Sequence, residues 1–451
     1  MSDALSVRAA AAEVGARVAL VAGGRAYTYA EVAALVEREL PGLAHACGYG
    51  AAFPLVADNA LPTAITLLAL LELRVPALLL HPRLTAEERA DVVAEARHAA
   101  PGAYPDAAVV IHTSGTTGRP RGAVLTRAAI EASAAASAAN LGWRDDDRWL
   151  ACMPIARVGG LSILTRCLAA RRTTVLAPGF DAATLPALLA AERVTLVSLV
   201  PTMLARLFDA HPDWRPPAHL RVVLVGGAAA PAALLRCAAG RGVPIVLTYG
   251  MTETCSQVVA TPYAERFAPA ECGAGRVLPP AELRIVGGHI EVRGPMLMAG
   301  YLDAPPLPPC TWFDTGDVGE VDARGCVTVH ARRTDLIVTG GENVYPAEVE
   351  RALEGCPGVV AAGVFGVPDE TWGEIVAAAL VVAPGGAPRD DELHAWIRAR
   401  LAPYKRPRGV CRVDILPQTA AGKLDRAGLA ALAPLLRPLD ADPAKERWTA
   451  S

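Results

Sequence analysis

The sequence predicts an α/β protein. A large N-terminal domain of helix-covered sheets carries a β-rich subdomain and is followed by a small α+β C-terminal domain. Three observations predict it. Short apolar runs alternate with helical patterns through the first 250 residues, which argues for a mostly parallel sheet with helices on its faces. From about residue 270 the pattern changes to short strands between Gly/Pro turns. A second break in composition falls at Arg332-Arg333-Thr334-Asp335, and the roughly 100 residues after it make a normal domain size. The expected boundaries are 1–332, with the β-rich part at about 270–332, then 333–433, then a tail at 434–451.

The elements follow in order. Residues 4–14 read as a helix, and 18–21 with the Gly23-Gly24 segment as strand, turn and strand. Thr28 caps a helix from Tyr29 to about Leu40, with Glu31 three residues on in capping-box spacing. Strand 53–56, helix 62–73 and strand 76–80 continue the alternation. Helix 85–98 has Glu87 and Glu88 in its first turn, where carboxylates suit the helix dipole. A Pro/Gly loop at 100–107 leads to a buried strand at 109–111, and helix 127–141 comes later. A strand near Trp149 gives way to a loop and a helix from about Gly160. Strand 173–177, helix 181–191, strand 195–199 and helix 202–210 repeat the pattern, with Pro201 at a first-turn position. Strands 221–225 and 244–248 follow, then short strands at 282–286, 289–293, 318–321 and 326–330. The last domain reads as strand 335–339, helix 346–354, strands 359–366 and 374–382, helix 390–402 and strand 409–415.

Composition excludes several classes. The chain has 451 residues, 52% hydrophobic and 20% charged, so a large core is available and wholesale disorder is excluded. A net charge of −3 gives no electrostatic case for nucleic acid. Ten scattered cysteines, with no C-x-x-C pair, read as small buried hydrophobes of a reducing compartment. Met1 to Leu20 lacks an uninterrupted apolar stretch, so no signal peptide is expected. Residues 61–80 are apolar, but Glu72, Arg74 and Pro76 interrupt them, so a buried helix and strand are expected rather than a membrane span. The expected location is the cytoplasm.

The stretch most informative about chemistry is Thr113-Ser114-Gly115-Thr116-Thr117-Gly118-Arg119-Pro120-Arg121-Gly122. Its glycines allow a tight loop that exposes consecutive backbone N–H groups; its hydroxyls add donors and its arginines add positive charge. That set suits a polyphosphate, although it is not a Walker A loop. A Gly/Ser/Thr loop alone is equally a polar surface turn. The whole string resembles the phosphate-binding loop of the adenylate-forming superfamily, which includes acyl- and aryl-CoA ligases, luciferases and peptide-synthetase adenylation domains.

Further blocks resemble the same superfamily in the same order. Tyr249-Gly250-Met251-Thr252-Glu253 is similar to its strand-end motif, which implies Thr252 near the α-phosphate and Glu253 on Mg²⁺. A lone Thr-Glu pair is otherwise a common helix cap. Asp314-Thr315-Gly316-Asp317 resembles the block whose last Asp accepts the ribose hydroxyls; an isolated Thr-Gly-Asp reads as a turn. Arg332 resembles the arginine that also contacts the ribose. Gly227, in the turn at 226–230, and Tyr249 are the expected adenine contacts. Gly340-Gly341-Glu342-Asn343 resembles the loop lining the thiol tunnel, and Gly422-Lys423 resembles the closing loop that delivers a catalytic lysine. The resemblance implies a mobile C-terminal domain that turns about residues 333–335 between half-reactions.

Other stretches are similar to the o-succinylbenzoate–CoA ligase family of menaquinone biosynthesis: Ser198 to Leu204, Gly250 to Gln257, Val367 to Gly373 and Met153 to Ser162. That implies ATP, Mg²⁺ and coenzyme A as cofactor and co-substrates, and an aromatic acid with a spare carboxylate. The implied acyl contacts are Arg157, Gly160, Ser198, Thr202 and Gly250. Three departures stand out. Arg157 replaces a common His, and either touches the spare carboxylate or anchors its loop. Arg121 replaces a common Lys and keeps its charge, and Thr334 sits where the hinge often has Lys or Asp. The other readings are a different aryl- or acyl-CoA ligase, a carrier-protein-loading enzyme, and a non-catalytic nucleotide-binding protein. The sequence sets no oligomeric state.

Overall fold

The computed structural model describes residues 3–46, 52–98, 104, 106–114, 120–228, 230, 232–268, 273–332, 337–417 and 426–439. They form two compact units. One comprises residues up to 82, 92–113 and 121–331; the other comprises 83–91, 114–120 and 332 onward.

The first unit is built on two sheets. The larger has thirteen strands. Its central part is parallel: Val18–Ala22, Thr173–Leu176, Arg148–Ala151, Leu196–Leu199, Val222–Val225 and Ile245–Met251 lie side by side. These strands are almost uniformly buried runs of Val, Leu, Ile and Ala, as a sheet covered on both faces requires. On the far side of Ile245–Met251 the pairing turns antiparallel and runs through Ser256–Ala260, Gly275–Val277, Cys326–Arg332, Phe313–Val321, His289–Arg293 and Glu282–Val286. The short strands beyond residue 270 therefore continue the large sheet. The second sheet has five strands, ordered Gly300–Tyr301, Pro120–Thr126, Ala107–Ser114, Ala77–Leu80 and Phe53–Val56. A single core joins helices and strands of both sheets, with Trp149, Tyr29, Leu67, Leu70 and Ile155 fully buried within it.

Local chemistry explains several boundaries. Thr28 and Glu31 form the expected capping box: Glu31 N donates to Thr28 Oγ1 at 3.2 Å and Thr28 N to Glu31 Oε2 at 2.7 Å. The helix it starts runs Tyr29–Ala46, past the expected end at Leu40 and through Pro41. Val32, Val36, Leu40 and Leu43 lie on one stripe against the core, and that burial carries the helix past the proline. The helix expected at 181–191 shortens to Leu185–Ala191, because Asp181 holds Ala183 N and Thr184 Oγ1 in a local turn ahead of it. Strands Pro120–Thr126, Ser256–Ala260 and Gly275–Val277 were not expected, since each abuts a glycine-rich or polar stretch that reads as loop.

Asp147 and Arg221 anchor the amino-terminal edge of the parallel strands. Arg221 Nη2 bonds Asp147 Oδ2 at 2.6 Å, and both side chains are buried. Thr195 Oγ1 adds a bond to Asp147 Oδ1 at 2.9 Å, and Arg221 Nη1 one to Leu141 O at 2.9 Å. Asp147→Ala strips a buried guanidinium of its counter-charge, so a loss of about 3–5 kcal/mol is expected, read as a lower urea midpoint at unchanged slope.

The second unit contains a six-stranded sheet. Val359–Asp369 and Gly373–Val382 form a long antiparallel hairpin, and Gly373–Val382 also pairs with Gly409–Arg412 and, at Gly373, with the small hairpin Ile337–Thr339, Glu342–Val344. Helices Pro346–Glu354 and Asp390–Arg400 pack Val349, Leu353, Leu393 and Ile397 onto it. Lys405 is buried there, with Nζ 2.6 Å from Glu348 Oε1.

No helix among the described residues is long and apolar enough to cross a membrane. Seven described cysteines are free thiols. Burial pushes Cys152 and Cys167 up to about 12, which leaves them inert. Cys326 corrects the expectation of free thiols throughout: it is disulfide-bonded.

Candidate active site

Ile245–Met251 is the strand on which the site is built. It is parallel to its neighbour on one side and antiparallel on the other, and loops gather at its carboxyl end, where open α/β sheets bind ligands. Tyr249 and Gly250 fall at a register shift against Ser256–Ala260. Gly250 approaches the neighbouring strand so closely that a Cβ would lie 1.9 Å from Ser256 O, so no side chain fits there. The chain then makes a single turn at Thr252–Thr254, pinned by Thr254 Oγ1, which accepts from Met251 N at 3.0 Å and donates to Ser256 O at 2.7 Å.

This turn presents Thr252 and Glu253, both half-buried. Glu253 is fixed at two points. Its carbonyl accepts from Met298 N at 2.8 Å, and its Oε1 accepts from the Tyr301 hydroxyl at 2.8 Å. Tyr249 Oη donates to Asp317 Oδ2 at 2.7 Å. Asp317 is 1% exposed and lies inside strand Phe313–Val321, so Asp314 to Asp317 is strand rather than a free turn. Thr113 Oγ1 donates to Arg121 O at 3.4 Å across the base of the loop at 113–122.

The structure thus brings Tyr249, Gly250, Thr252, Glu253 and Asp317 together by direct bonds or adjacency. Gly227, half the turn after Val222–Val225, is exposed at the end of the next strand. Ser114 ends strand Ala107–Ser114, and Arg332 ends strand Cys326–Arg332. Gly115, Thr116, Thr117, Gly118, Thr334 and Lys423 lie outside the described residues. In the second unit, Gly340 and Gly341 make the two-residue tip of the hairpin Ile337–Thr339, Glu342–Val344, with φ of 57° and 82°. Positive φ at both positions is what a tight hairpin turn of this twist demands.

Among the expected acyl contacts, Arg157 caps helix Val158–Ala170, which begins two residues earlier than expected; the Arg157 carbonyl accepts from Gly160 N at 3.0 Å and Leu161 N at 2.9 Å. Ser198 is buried, and its hydroxyl accepts from Trp149 Nε1 at 3.0 Å. Thr202 lies in the first turn of helix Pro201–Ala210.

Two residues escaped the sequence reading. Asn59 is buried and clamps the loop ahead of this helix: Nδ2 donates to Ala151 O at 3.1 Å and Met153 O at 2.9 Å, and Oδ1 accepts from Ile155 N at 3.0 Å. No local sequence signal marks it. Asn59→Ala leaves three backbone groups unmatched, and a loss of about 2–4 kcal/mol is expected from chemical denaturation.

The other residue is Arg166. Its guanidinium is 2% exposed, with a single long bond from Nη1 to Gln257 Oε1 at 3.4 Å. Nε and Nη2 of Arg166 and Nε2 of Gln257 are buried without a hydrogen-bond partner, and no carboxylate among the described residues pairs with Arg166. Burial pulls Arg166 down to about 10, so it still carries its charge at neutral pH. It borders a water-sized crevice between helices Arg127–Leu141 and Val158–Ala170, lined by Leu125, Ile130, Val158 and Leu161 together with the hydroxyl residues Ser133, Ser162 and Thr165, and reached by Cys255, two residues beyond Glu253. The signal was present in the sequence: one arginine amid Leu161-Ser162-Ile163-Leu164-Thr165 and Cys167-Leu168-Ala169-Ala170.

No group of three His, Cys, Asp or Glu side chains among the described residues is placed to hold a metal ion. A nucleotide-borne Mg²⁺ fits. It needs one or two carboxylates beside phosphates and water, and Glu253 supplies one whose Oε2 meets no donor among the described residues.

Comparison with known proteins agrees with this architecture. The family model described as AMP-binding enzyme matches residues 98–302, and its companion, AMP-binding enzyme C-terminal domain, matches 348–423. The 2-succinylbenzoate–CoA ligase of Bacillus cereus strain ATCC 14579 is 40% identical over 338 residues, which are 72% of this chain and 70% of that protein. A double mutant of the o-succinylbenzoate CoA synthetase of Bacillus subtilis, bound to its product analogue OSB-NCoA, superposes with a TM-score of 0.86 at 32% identity, covering 96% of this chain and 98% of that one. The Bacillus subtilis enzyme with the acyl-adenylate intermediate OSB-AMP gives 0.67 at 32% identity, covering 95% and 98%. With ATP and magnesium ion it gives 0.66 at 32% identity, covering 93% and 98%.

Proposed function

Because the chain belongs to the AMP-binding enzyme family, we propose that it is an ATP-dependent acid–thiol ligase that converts o-succinylbenzoate, ATP and coenzyme A to o-succinylbenzoyl-CoA, AMP and pyrophosphate. A carboxylate oxygen attacks the α-phosphorus and pyrophosphate leaves. The CoA thiol then loses its proton and attacks the acyl carbonyl, with AMP as the leaving group.

The first step joins two anions, so it needs positive charge and fixed orientation. The loop from Thr113 to Gly118 cradles the phosphates, Arg121 stands at its exit with its charge paired to Asp303, and Thr252 reaches the α-phosphate. Glu253 holds Mg²⁺, which when bound neutralises phosphate charge. Asp317, oriented by Tyr249, accepts the ribose hydroxyls, a role shared by Arg332; Gly227 and Tyr249 border the adenine. Lys423 steadies the charge that develops during adenylation, and the Gly340–Gly341 hairpin serves the thiol step. The N-terminal adenylation domain is taken as 1–332, the lid domain as 333–433 and the tail as 434–451. The enzyme works in the cytoplasm, where ATP and coenzyme A are made available.

One observation in the chain itself supports the substrate reading: the buried guanidinium of Arg166, near the strand-end turn, has no carboxylate partner among the described residues. A buried cation without a counter-charge is costly unless a ligand supplies one. An aromatic acid with a second carboxylate does so, the reacting carboxylate facing the Thr252–Glu253 turn and the spare one facing Arg166. Arg157 then anchors its loop as the helix cap.

The test is CoA-thioester formation with ATP and Mg²⁺, comparing o-succinylbenzoate with benzoate, anthranilate, 4-coumarate and a medium-chain fatty acid. Strong preference for o-succinylbenzoate is expected. Preference for a monocarboxylate refutes the substrate assignment. Absence of both thioester and pyrophosphate with every acid refutes the enzyme.

A further inference from the structure

We infer that Tyr301 is a positioning residue for the metal-binding carboxylate of Glu253, and that Arg121 acts on the reaction through the ring of Tyr301. The inference rests on the assignment of Glu253 to Mg²⁺ made above.

Four observations converge on segment 298–304. The Tyr301 hydroxyl donates to Glu253 Oε1 at 2.8 Å, and Met298 N donates to the Glu253 carbonyl at 2.8 Å, so both ends of Glu253 are held from one segment. The Arg121 guanidinium carbon lies 3.7 Å from the centre of the Tyr301 ring. That guanidinium is locked by Asp303, with Nε 3.2 Å from both carboxylate oxygens and Nη2 3.0 Å from Oδ1. Tyr301 is itself held by its backbone: it pairs with Ala123 in the five-stranded sheet, and its carbonyl accepts from Tyr104 Oη at 2.8 Å.

The physical consequence is directional. A carboxylate with two free oxygens rotates and competes with water for both. Tying Oε1 to a phenol leaves Oε2 available to a cation and removes that rotational freedom before the nucleotide arrives. A cation over a phenol ring draws density from it and makes its O–H a stronger donor. Arg121 therefore strengthens the bond that orients Glu253, and its own donors are spent on Asp303 rather than offered to phosphate. Phosphate loop and metal carboxylate become one assembly, joined by an aromatic ring.

The experiment measures ATP binding by calorimetry without acid substrate, with and without Mg²⁺; the readout is the ratio of the two dissociation constants. Glu253→Gln is expected to bring the ratio near one. Tyr301→Phe keeps the ring and removes only the hydroxyl; it should reduce the ratio about tenfold, the scale of one hydrogen bond to a charged group, with metal-free ATP affinity unchanged. Arg121→Met should reduce it in the same direction by a smaller factor. A Tyr301→Phe ratio equal to wild type, with Glu253→Gln collapsed, overturns the inference and leaves the Glu253 assignment standing. An unchanged ratio in Glu253→Gln overturns that assignment itself, and the inference with it. A loss of metal-free ATP affinity in Arg121→Met would mean direct phosphate contact and overturn the part given to Arg121.

Discussion

Lys423→Ala slows acyl-adenylate formation about 10²- to 10³-fold, the scale for losing one preorganised charge donor from a transition state. The reason is electrostatic. As the carboxylate approaches the α-phosphorus, negative charge grows on the phosphoryl oxygens and on the departing pyrophosphate, and a lysine ammonium placed there gains strength in the transition state over the ground state. The second half-reaction takes place at the acyl carbonyl, brings no carboxylate onto the phosphorus and releases no pyrophosphate, so it has no such need. Thioester formation from preformed acyl-adenylate should therefore keep its rate in the variant. Rapid-quench measurement of pyrophosphate release, set beside single-turnover thioester formation, separates the two. Equal losses in both would remove Lys423 from the role given to it.

Arg166→Met produces effects of opposite sign on binding and on stability. Removing one member of a buried, hydrogen-bonded charge pair costs about 2–4 kcal/mol, so KM for o-succinylbenzoate should rise about 30- to 1,000-fold. Turnover of benzoate, which has no spare carboxylate, should hold or improve. The ligand-free protein should melt higher than wild type, because methionine fills much of the arginine's volume without burying an unmatched charge. A merely structural Arg166 predicts the reverse: a lower melting temperature and losses independent of the acid used. Calorimetric melting of the ligand-free variant, with KM for both acids, distinguishes them.

Much of this was legible in the sequence, and the limits have physical causes. The parallel strands could be read because each is a solid apolar run flanked by turn residues, as Val222–Val225 and Leu196–Leu199 show. Glu31 and Thr28 announced their helix start by spacing alone. Tyr249, Glu253 and Asp317 could be named because each sits in a contiguous block. Residues whose role depends on distant partners could not. Asn59 acts on peptide groups about 92–96 positions away, and Tyr301 reaches back 48 positions to Glu253. Arg166 was visible as an oddity, but only its burial without a carboxylate gives the oddity meaning. Strand Ser256–Ala260 hid behind Thr252–Thr254, whose polar residues read as a loop, and Pro41 suggested a helix end that the buried stripe overrode.

The helix Val158–Ala170 carries Arg166, Val158 and Leu161, whereas the nucleotide groups stand on the sheet strands Ile245–Met251 and Phe313–Val321. On the proposed assignment, much of what selects the acid lies apart from what activates it, with Gly250 shared between the two. Substitutions along that thirteen-residue segment should therefore change which acid is accepted with the least disturbance to the nucleotide groups. A lineage built this way can change diet by editing a single helix, and a library confined to its inward positions is the economical place to look for new acids.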